Sequence, residues 1–370
     1  MPPLSLLIKP ASGHCNLRCG YCFYHDVTAH REHRSYGFMA LETLETLVRK
    51  ALDFADGSCT FAFQGGEPTL AGLDFYRALI GFVERHNDKK ASVHYAIQTN
   101  GIVVDAEWAR FLHDHHFLVG LSLDGPKDIH DAQRVDASGT GSWRRVLEAA
   151  RQMESAEVEY NILTVVTNQV ARHVRQVYAF LKKNGFRYLQ FIPCLDPLEA
   201  VGDSDTALTP ERYAYFLKEL FDLWSADLMR GDMISIRDFE NWVGMCAGRR
   251  PESCGMSGTC SCQFVVEADG SVFPCDFYVL DRYRMGSIVD DGFAELAASE
   301  PARRFIEESL PVDEACSACE WYPICRGGCR RYREPFVEGR PGLNRFCKAY
   351  QAFFAYTLPR MQELARRFVR

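Results

Sequence analysis

The sequence predicts an α/β protein: a partial (β/α)6 barrel of the TIM type, followed by a small cysteine-rich domain and a C-terminal helix. Three observations carry this prediction. Short apolar runs alternate with helical patterns between residues 4 and 195, the chain becomes rich in Cys and Gly from residue 254, and it closes on a long helical pattern. Strands that alternate with helices pair in parallel through right-handed crossovers, in a partial barrel or a doubly wound sheet.

The expected elements follow from local patterns of apolar residues. The expected strands span 4–9, 59–64, 93–99, 117–123, 159–166 and 187–193. The helices between them are expected at 41–55, 73–86, 106–115, 143–154 and 174–185. Later elements are a largely helical segment at 205–245, a hairpin around Asp269-Gly270 and a final helix over 348–368.

Length, composition and charge limit the number of domains and the classes of partner that the chain can have. The chain has 370 residues, 47% of them hydrophobic, which allows one large or two ordinary domains. We expect a boundary near 240–253, with domains at 1–245 and 246–370. A net charge of −7 does not indicate nucleic-acid binding. The apolar runs fall short of the roughly 20 residues that span a bilayer, and the start lacks a basic signal-peptide region, so we expect a cytoplasmic protein without membrane contact.

The fifteen cysteines cluster in two places. Three lie between residues 15 and 22, and nine lie between residues 254 and 347. Cytosolic thiols stay reduced, so structural disulfides are not expected, and metal ligation or catalysis is the better interpretation. Cys59, Cys194 and Cys246 stand apart and are interpreted as buried or free thiols.

The first cluster is the run CNLRCGYC, which directly follows the first expected strand. Three thiolates can hold three irons of a [4Fe–4S] cube and leave the fourth iron free for another ligand. A thioredoxin-like C-x-x-C at Cys19 and Cys22 is the main alternative, which Cys15 and the neighbouring aromatic residues fit poorly. The spacing of Cys15, Cys19 and Cys22 after a first strand resembles the radical S-adenosylmethionine (SAM) superfamily. That resemblance implies that the open iron binds the amino and carboxylate groups of SAM.

Polar motifs at the ends of the next strands support a shared pocket. QGGEP, QTN and SLDGP follow the second, third and fourth strands, whose carboxyl ends form the ligand-binding face of such folds. In the superfamily the GGE motif, here Gly65, Gly66 and Glu67, meets the amino group of SAM. The resemblance also implies other SAM contacts, to the carboxylate or ribose and to the adenine. These are Ser122 and Arg134 for the carboxylate or ribose, and Tyr21 and Leu195 beside the adenine.

The C-terminal cysteines resemble the SPASM domain, the auxiliary-cluster module of peptide-modifying radical SAM enzymes. Eight thiols would ligate two further [4Fe–4S] clusters, which makes three in all. By this resemblance the first auxiliary cluster has the ligands Cys254, Cys260, Cys275 and Cys329. The second has the ligands Cys316, Cys319, Cys325 and Cys347. Cys262 could replace Cys260, and two structural zinc sites are the alternative use of eight thiols.

Within the superfamily, CGMSGTCSCQFVVEADGSVFPCDFYVL, FAFQGGEPTLAG and SYGFM resemble the anaerobic sulfatase-maturating enzymes. The resemblance implies oxidation of a Cys or Ser in a C/S-x-P-x-R segment of a sulfatase precursor to Cα-formylglycine. It also implies an electron donor such as flavodoxin or ferredoxin. Asp276, directly after Cys275, is the candidate base; a carboxylate can act so within hydrogen-bond reach, but could equally accept backbone N–H groups.

Two other functions remain open on the sequence. One is a radical SAM enzyme that forms thioethers or other crosslinks in a ribosomal peptide. Such enzymes commonly carry an N-terminal leader-binding domain, whereas here the first strand is expected from residue 4. The other is a zinc-stabilised binding protein without redox chemistry, which iron content and brown absorbance would distinguish.

Overall fold

The computed structural model describes residues 3–198, 206–336 and 339–368, and within them the chain divides into two compact units. Unit 1 combines three stretches, 1–123, 131–160 and 262–305. Unit 2 combines 124–130, 161–261 and 306–370. The domain limits 1–245 and 246–370 stay a prediction. Residue 205, where the expected helical segment begins, lies outside the described residues.

Strands and helices alternate through much of the chain. The strands are β1 (Leu4–Ile8), β2 (Ser58–Phe63), β3 (Ser92–Thr99), β4 (Phe117–Ser122), β5 (Tyr160–Val166), β6 (Tyr188–Pro193), β7 (Ser235–Ile236), β8 (Val265–Val266), β9 (Ser271–Phe273) and β10 (Gly286–Ser287). The helices are α1 (Phe23–Ala29), α2 (Leu41–Phe54), α3 (Leu73–His86), α4 (Ala106–Asp114), α5 (Lys127–Asp131), α6 (Trp143–Ser155), α7 (Asn168–Arg172), α8 (Val174–Lys183), α9 (Pro210–Met229), α10 (Arg237–Cys246), α11 (Phe293–Ala298), α12 (Glu300–Glu307), α13 (Glu314–Ser317), α14 (Tyr322–Cys325) and α15 (Cys347–Phe368).

The predicted alternation of strands and helices is confirmed. Each of the six expected strands is present with ends within one residue of the expectation, and the five helices between them are present within two. The hairpin around Asp269-Gly270 forms as β8 and β9, which pair antiparallel. The short helices α1, α5 and α7 were not predicted, because five to seven residues give too few turns for a periodic signal.

The sheet of unit 1 has the order β10-β9-β8-β1-β2-β3-β4. Strands β1 to β4 are parallel, and β8 adds to the free edge of β1 in parallel, with Leu7 opposite Val265. Alternate side chains of β1 and β2 are buried against helices, including Leu6, Phe61 and Phe63. The carboxyl ends of β1 to β4 therefore lie along one edge, where their loops can converge.

In unit 2, the strands β5, β6 and β7 pair in parallel, and helices α9, α10 and α15 bury an aromatic core. Phe221, Phe239 and Phe353 are almost fully buried and have ring centroids 5.3–5.9 Å apart. Thr209 begins α9 by accepting the amide N–H of Arg212, and Pro210 follows at the first helical position. Across the described ranges, no helix has the length and apolarity that crossing a membrane would demand.

Candidate metal centres and cofactor site

The loop between β1 and α1 carries the first three thiols. Cys22 precedes the first helical residue of α1, and the backbone N–H of Leu17 donates to the Sγ of Cys15 over 3.4 Å. The pKa of Cys15 is raised to about 12, mainly by burial and in smaller part by Glu67 and the Cys19 and Cys22 thiols, against the Leu17 hydrogen bond. A thiol that is costly to ionise without a cation, with two further thiols in the same loop, is suited to ligate a metal cluster.

The loop after β2 packs directly on this cysteine loop. The backbone N–H of Gly66 donates to the carbonyl of Ser12, and that of Glu67 donates to the carbonyl of His14, both over 2.8 Å. A Cβ atom at position 66 would lie 2.0 Å from the His14 oxygen, so only glycine fits here. The two glycines therefore bring the GGE segment against the backbone that precedes Cys15.

Glu67 has a buried carboxylate whose hydrogen bonds all come from this edge of the sheet. Its Oε1 accepts from the hydroxyls of Thr69 and Thr99 over 2.6 and 2.7 Å, and its Oε2 accepts from the backbone N–H of Asn100 over 2.7 Å. Burial raises the pKa of Glu67, while these hydrogen bonds act in the opposite direction. A carboxylate held in this way is suited to bind an ammonium group.

Arg134 and Tyr21 come together beside the second thiol. The guanidinium of Arg134 lies 5.5 Å from the Tyr21 ring centroid, and its Nη1 lies 4.0 Å from the Sγ of Cys19. The backbone of 133–135 runs along the cysteine loop, because Gly20 N–H donates to the carbonyl of Gln133 over 3.0 Å. Ser122 is buried at the end of β4 in the same unit. Leu195 follows β6 in unit 2.

Asp276 is held by two side chains that the sequence did not single out as site residues. Lys9, fully buried at the end of β1, forms an ion pair with its Oδ1, and Gln64 donates from Nε2 to its Oδ2 over 2.6 Å. Asp276 is itself 8% exposed. A lysine that ends an otherwise apolar strand, LSLLIK, is the signal that could have found Lys9.

A second buried ion pair adjoins the first. Tyr24 donates its hydroxyl to Glu267, which also pairs with Arg31 over 2.6 Å, and all three side chains are buried. The ammonium of Lys9 lies 3.9 Å from the centroid of the Tyr24 ring. Tyr24 thus connects the Glu267–Arg31 pair to the Lys9–Asp276 pair, which restricts the Lys9 side chain.

The thiols of unit 2 form two separate groups. Cys254, Cys260 and Cys329 form the first: the pKa of Cys329 is raised to about 12, mainly by burial and in smaller part by the nearby Cys254 and Cys260 thiols. Cys316, Cys319, Cys325 and Cys347 form the second: the pKa of Cys325 is raised to about 11, mainly by burial and in smaller part by the other three thiols near it. Cys262 and Cys275 belong to unit 1. In the described part of the chain, no three His, Cys, Asp or Glu side chains converge on a position for one metal ion.

Comparisons with known proteins identify the two parts of the chain. The radical SAM superfamily model matches residues 10–181, and the SPASM model, an iron–sulfur cluster-binding domain, matches residues 254–320. The fold class is therefore the predicted one.

The similar proteins cover nearly the whole chain. The cysteine-type anaerobic sulfatase-maturating enzyme of Clostridium novyi is 48% identical, with 99% of this chain and 98% of that protein covered. That of Clostridium perfringens (strain 13 / Type A) is 49% identical, with 99% of both chains covered. The serine-type enzyme of Bacteroides thetaiotaomicron is 29% identical over 97% of this chain and 90% of its own.

Solved structures of similar proteins share the fold of this chain. Native anSMEcpe with bound AdoMet and Cp18Cys peptide is 48% identical, with 99% of both chains covered and a TM-score of 0.95. Streptococcus suis SuiB bound to precursor peptide SuiA has a TM-score of 0.66 at 16% identity, with 94% of this chain and 76% of that chain covered, and shares the fold alone. The chain belongs to the anaerobic sulfatase-maturating enzymes, a family of radical SAM enzymes with a SPASM domain.

Proposed function

We propose that this enzyme oxidises the target cysteine of a sulfatase precursor to Cα-formylglycine, with SAM cleaved to 5′-deoxyadenosine and methionine. The target lies in a C/S-x-P-x-R segment, and serine is the alternative target residue. The observation that carries the proposal is the Asp276 carboxylate, held by Lys9 and Gln64 in the same unit as the three-thiol loop. Cysteine is preferred because the relatives at 48–49% identity are cysteine-type, whereas the serine-type relatives are 28–29% identical.

The first cluster would be held by Cys15, Cys19 and Cys22, with SAM on its open iron. Cluster and SAM together would supply the 5′-deoxyadenosyl radical that removes a hydrogen atom from the substrate Cβ. The remaining SAM contacts are those that the resemblance to the superfamily implies. Gly65, Gly66 and Glu67 would bind the amino group, Ser122 and Arg134 the carboxylate or ribose, and Tyr21 and Leu195 the adenine.

Asp276 would act as the base that accepts the proton of the substrate thiol or hydroxyl. The ion pair to Lys9 holds one carboxylate oxygen, and the hydrogen bond from Gln64 restrains the second. Removal of the proton together with a second electron would yield the aldehyde directly from serine. From cysteine it would yield the thioaldehyde, which water would hydrolyse to formylglycine with release of hydrogen sulfide. Both oxygens of Asp276 have protein donors, so their orientation is fixed before the peptide binds.

Two auxiliary [4Fe–4S] clusters would accept that second electron, which gives three clusters in the chain. The first would be held by Cys254, Cys260, Cys275 and Cys329. The proximity of Cys260 to Cys254 and Cys329 favours Cys260 over Cys262 as the ligand. The second would be held by Cys316, Cys319, Cys325 and Cys347, a group that lies entirely within unit 2.

The electrons for SAM cleavage would come from a low-potential donor of the cytoplasm, such as flavodoxin or ferredoxin. A reducing compartment suits a chain whose fifteen cysteines are all free thiols in the structure. We expect neither nucleic acid nor a membrane among the partners of this enzyme.

The test is anaerobic reconstitution with dithionite, SAM and a synthetic peptide that contains C-T-P-S-R, read by mass spectrometry. We expect the formylglycine peptide together with 5′-deoxyadenosine. Deoxyadenosine without peptide oxidation would contradict the substrate assignment and leave the crosslink-forming alternative. Neither product, in a protein with its full iron complement, would overturn the proposal. A chain that binds zinc and no iron would support the binding-protein alternative.

A further inference from the structure

Asn100 lies directly after β3 at the junction of the GGE segment and the cysteine loop. It is 6% exposed, and it is not one of the proposed SAM contacts. Its backbone N–H donates to the Oε2 of Glu67 over 2.7 Å. Its side chain extends toward the loop that carries Cys15, Cys19 and Cys22. Asn100 therefore contacts both halves of the proposed SAM site.

The side-chain amide has a partner for every polar group. Its Nδ2 donates to the Oδ1 of Asn16 over 2.7 Å and approaches the Sγ of Cys15 at 3.8 Å. Its Oδ1 accepts the backbone N–H of Ile102 over 3.0 Å. The Ile102 N–H requires an acceptor, so the orientation of the amide is fixed, with the NH2 group toward the sulfur.

Cys15 thus has two N–H donors on one sulfur, the backbone of Leu17 and the side chain of Asn100. Hydrogen bonds to cysteine sulfur are one of the factors that set the reduction potential of an iron–sulfur cluster. A donor draws charge from the thiolate and stabilises the more negative, reduced cluster. The same amide also ties Asn16, next to the ligand, to the residue that holds Glu67.

We propose that Asn100 is a positioning residue that raises the reduction potential of the SAM-binding cluster and fixes the Cys15 sulfur relative to the Glu67 carboxylate. This inference rests on the proposed cluster at Cys15, Cys19 and Cys22. The side chain acts on the sulfur and the backbone acts on the carboxylate. Substitution of the side chain consequently removes the first contact and keeps the second.

The test compares the holoenzyme with the variants Asn100→Asp and Asn100→Ser. Asn100→Asp keeps the shape and the acceptor for Ile102 while it replaces the NH2 donor by a negative oxygen. The measured quantity is the midpoint potential of the cluster that responds to SAM, followed by difference EPR with and without SAM during a redox titration. We expect at least a tenfold loss in the equilibrium constant for reduction in Asn100→Asp, which is about 59 mV for one electron. Asn100→Ser should show a smaller shift in the same direction.

Asn87→Asp is the matched control. The Asn87 amide also bonds backbone groups, donating to and accepting from Ala91 over 2.9 Å each, but it lies in the loop that ends α3. It should leave the midpoint potential unchanged. A wild-type potential in either Asn100 variant with full iron content would overturn the inference. A shift of equal size in Asn87→Asp would also overturn it.

The cluster itself and the effect of Asn100 on it are tested separately by these measurements. If the unaltered enzyme holds no iron, or its EPR spectrum does not respond to SAM, the proposed function fails irrespective of Asn100. If the unaltered enzyme responds to SAM and the Asn100 variants keep its potential, only the further inference fails. Loss of iron in Asn100→Asp with a wild-type potential in Asn100→Ser would assign Asn100 a purely structural contribution and overturn the inference.

Discussion

The ammonium of Lys9 is paired with the carboxylate of Asp276 in the interior of unit 1, although 267 positions separate the two residues in the chain. Lys9 directly follows β1, and Asp276 begins the turn after β9. Gln64, directly after β2, completes the arrangement from a third position. The three residues are brought together by the pairing of β1 with both β2 and β8.

Substitution Asp276→Asn should abolish peptide oxidation while the clusters and SAM binding remain. An amide of the same shape cannot accept the substrate proton, and loss of a general base lowers rates by about 100-fold or more. The measurement is formylglycine formation by mass spectrometry, with iron content and 5′-deoxyadenosine as controls. Wild-type turnover in this variant would remove Asp276 as the base.

Substitution Lys9→Met should lower both stability and peptide oxidation. It leaves the Asp276 charge buried without its cation, and breaking a buried ion pair from one side costs about 3 kcal/mol or more. The double variant Lys9→Met/Asp276→Asn removes the unpaired charge and should be more stable than Lys9→Met alone. Chemical unfolding under anaerobic conditions measures the free energies of unfolding of the unaltered enzyme, Lys9→Met and the double variant. Equal stability of Lys9→Met and the double variant would contradict an energetic coupling between Lys9 and Asp276.

Substitution Gly66→Ala should prevent SAM binding and lower stability. The added Cβ would meet backbone 2.0 Å away at His14, and overpacking of this kind costs about 1–3 kcal/mol. Gly81→Ala is the control, because Gly81 lies inside α3 and, apart from its chain neighbours and the nearby backbone of its own helix, no described atom lies within 4 Å of its Cβ position. This control should stabilise the protein by about 0.5–1 kcal/mol. Anaerobic SAM binding and thermal unfolding distinguish the two; normal SAM affinity in Gly66→Ala would contradict the assigned contact.

Substitution Cys325→Ser should remove one auxiliary cluster and leave the other two. Iron content should fall from about twelve to about eight per chain, since each cluster holds four irons. SAM cleavage without peptide should persist, whereas peptide oxidation should decrease. Cys246→Ala, at the end of α10 and outside both thiol groups, should keep the full iron content. An unchanged iron content in Cys325→Ser would contradict the assigned ligand set.

Asp238 gives unit 2 a stability that depends on pH. Burial raises its pKa to about 7, against the attraction of Arg237. The folded state therefore holds a proton between about pH 4 and pH 7 that the unfolded state has released, so stability falls as pH rises through this window. Asp238→Asn should raise the thermal midpoint at about pH 8 and leave it nearly unchanged near pH 4. Equal effects at both pH values would contradict a titrating Asp238.

The sequence predicted those parts of the site that consist of local motifs. The spacing of Cys15, Cys19 and Cys22 and the GGE segment lie in two loops, and strand periodicity was enough to put both loops on one edge. The hairpin was predictable from Asp269-Gly270, because Gly270 adopts a φ of +86° that favours glycine.

The partners of Asp276 were not predictable in the same way. Lys9 and Gln64 are distant in the chain, and their convergence depends on strand register, which the sequence pattern does not specify. The contact of Asn100 with the Cys15 sulfur depends in addition on a side-chain rotamer.

The pairing of β1 with β8 has a consequence for synthesis of the protein. Strand β1 is synthesised long before β8, so its outer edge is covered only after residues 265–266 have been made. During that interval its unpaired backbone groups and apolar side chains could pair with another nascent chain. Translation that stops before residue 265 would leave the edge of β1 permanently exposed, so truncated products should aggregate or be degraded rather than persist as a partly active fragment.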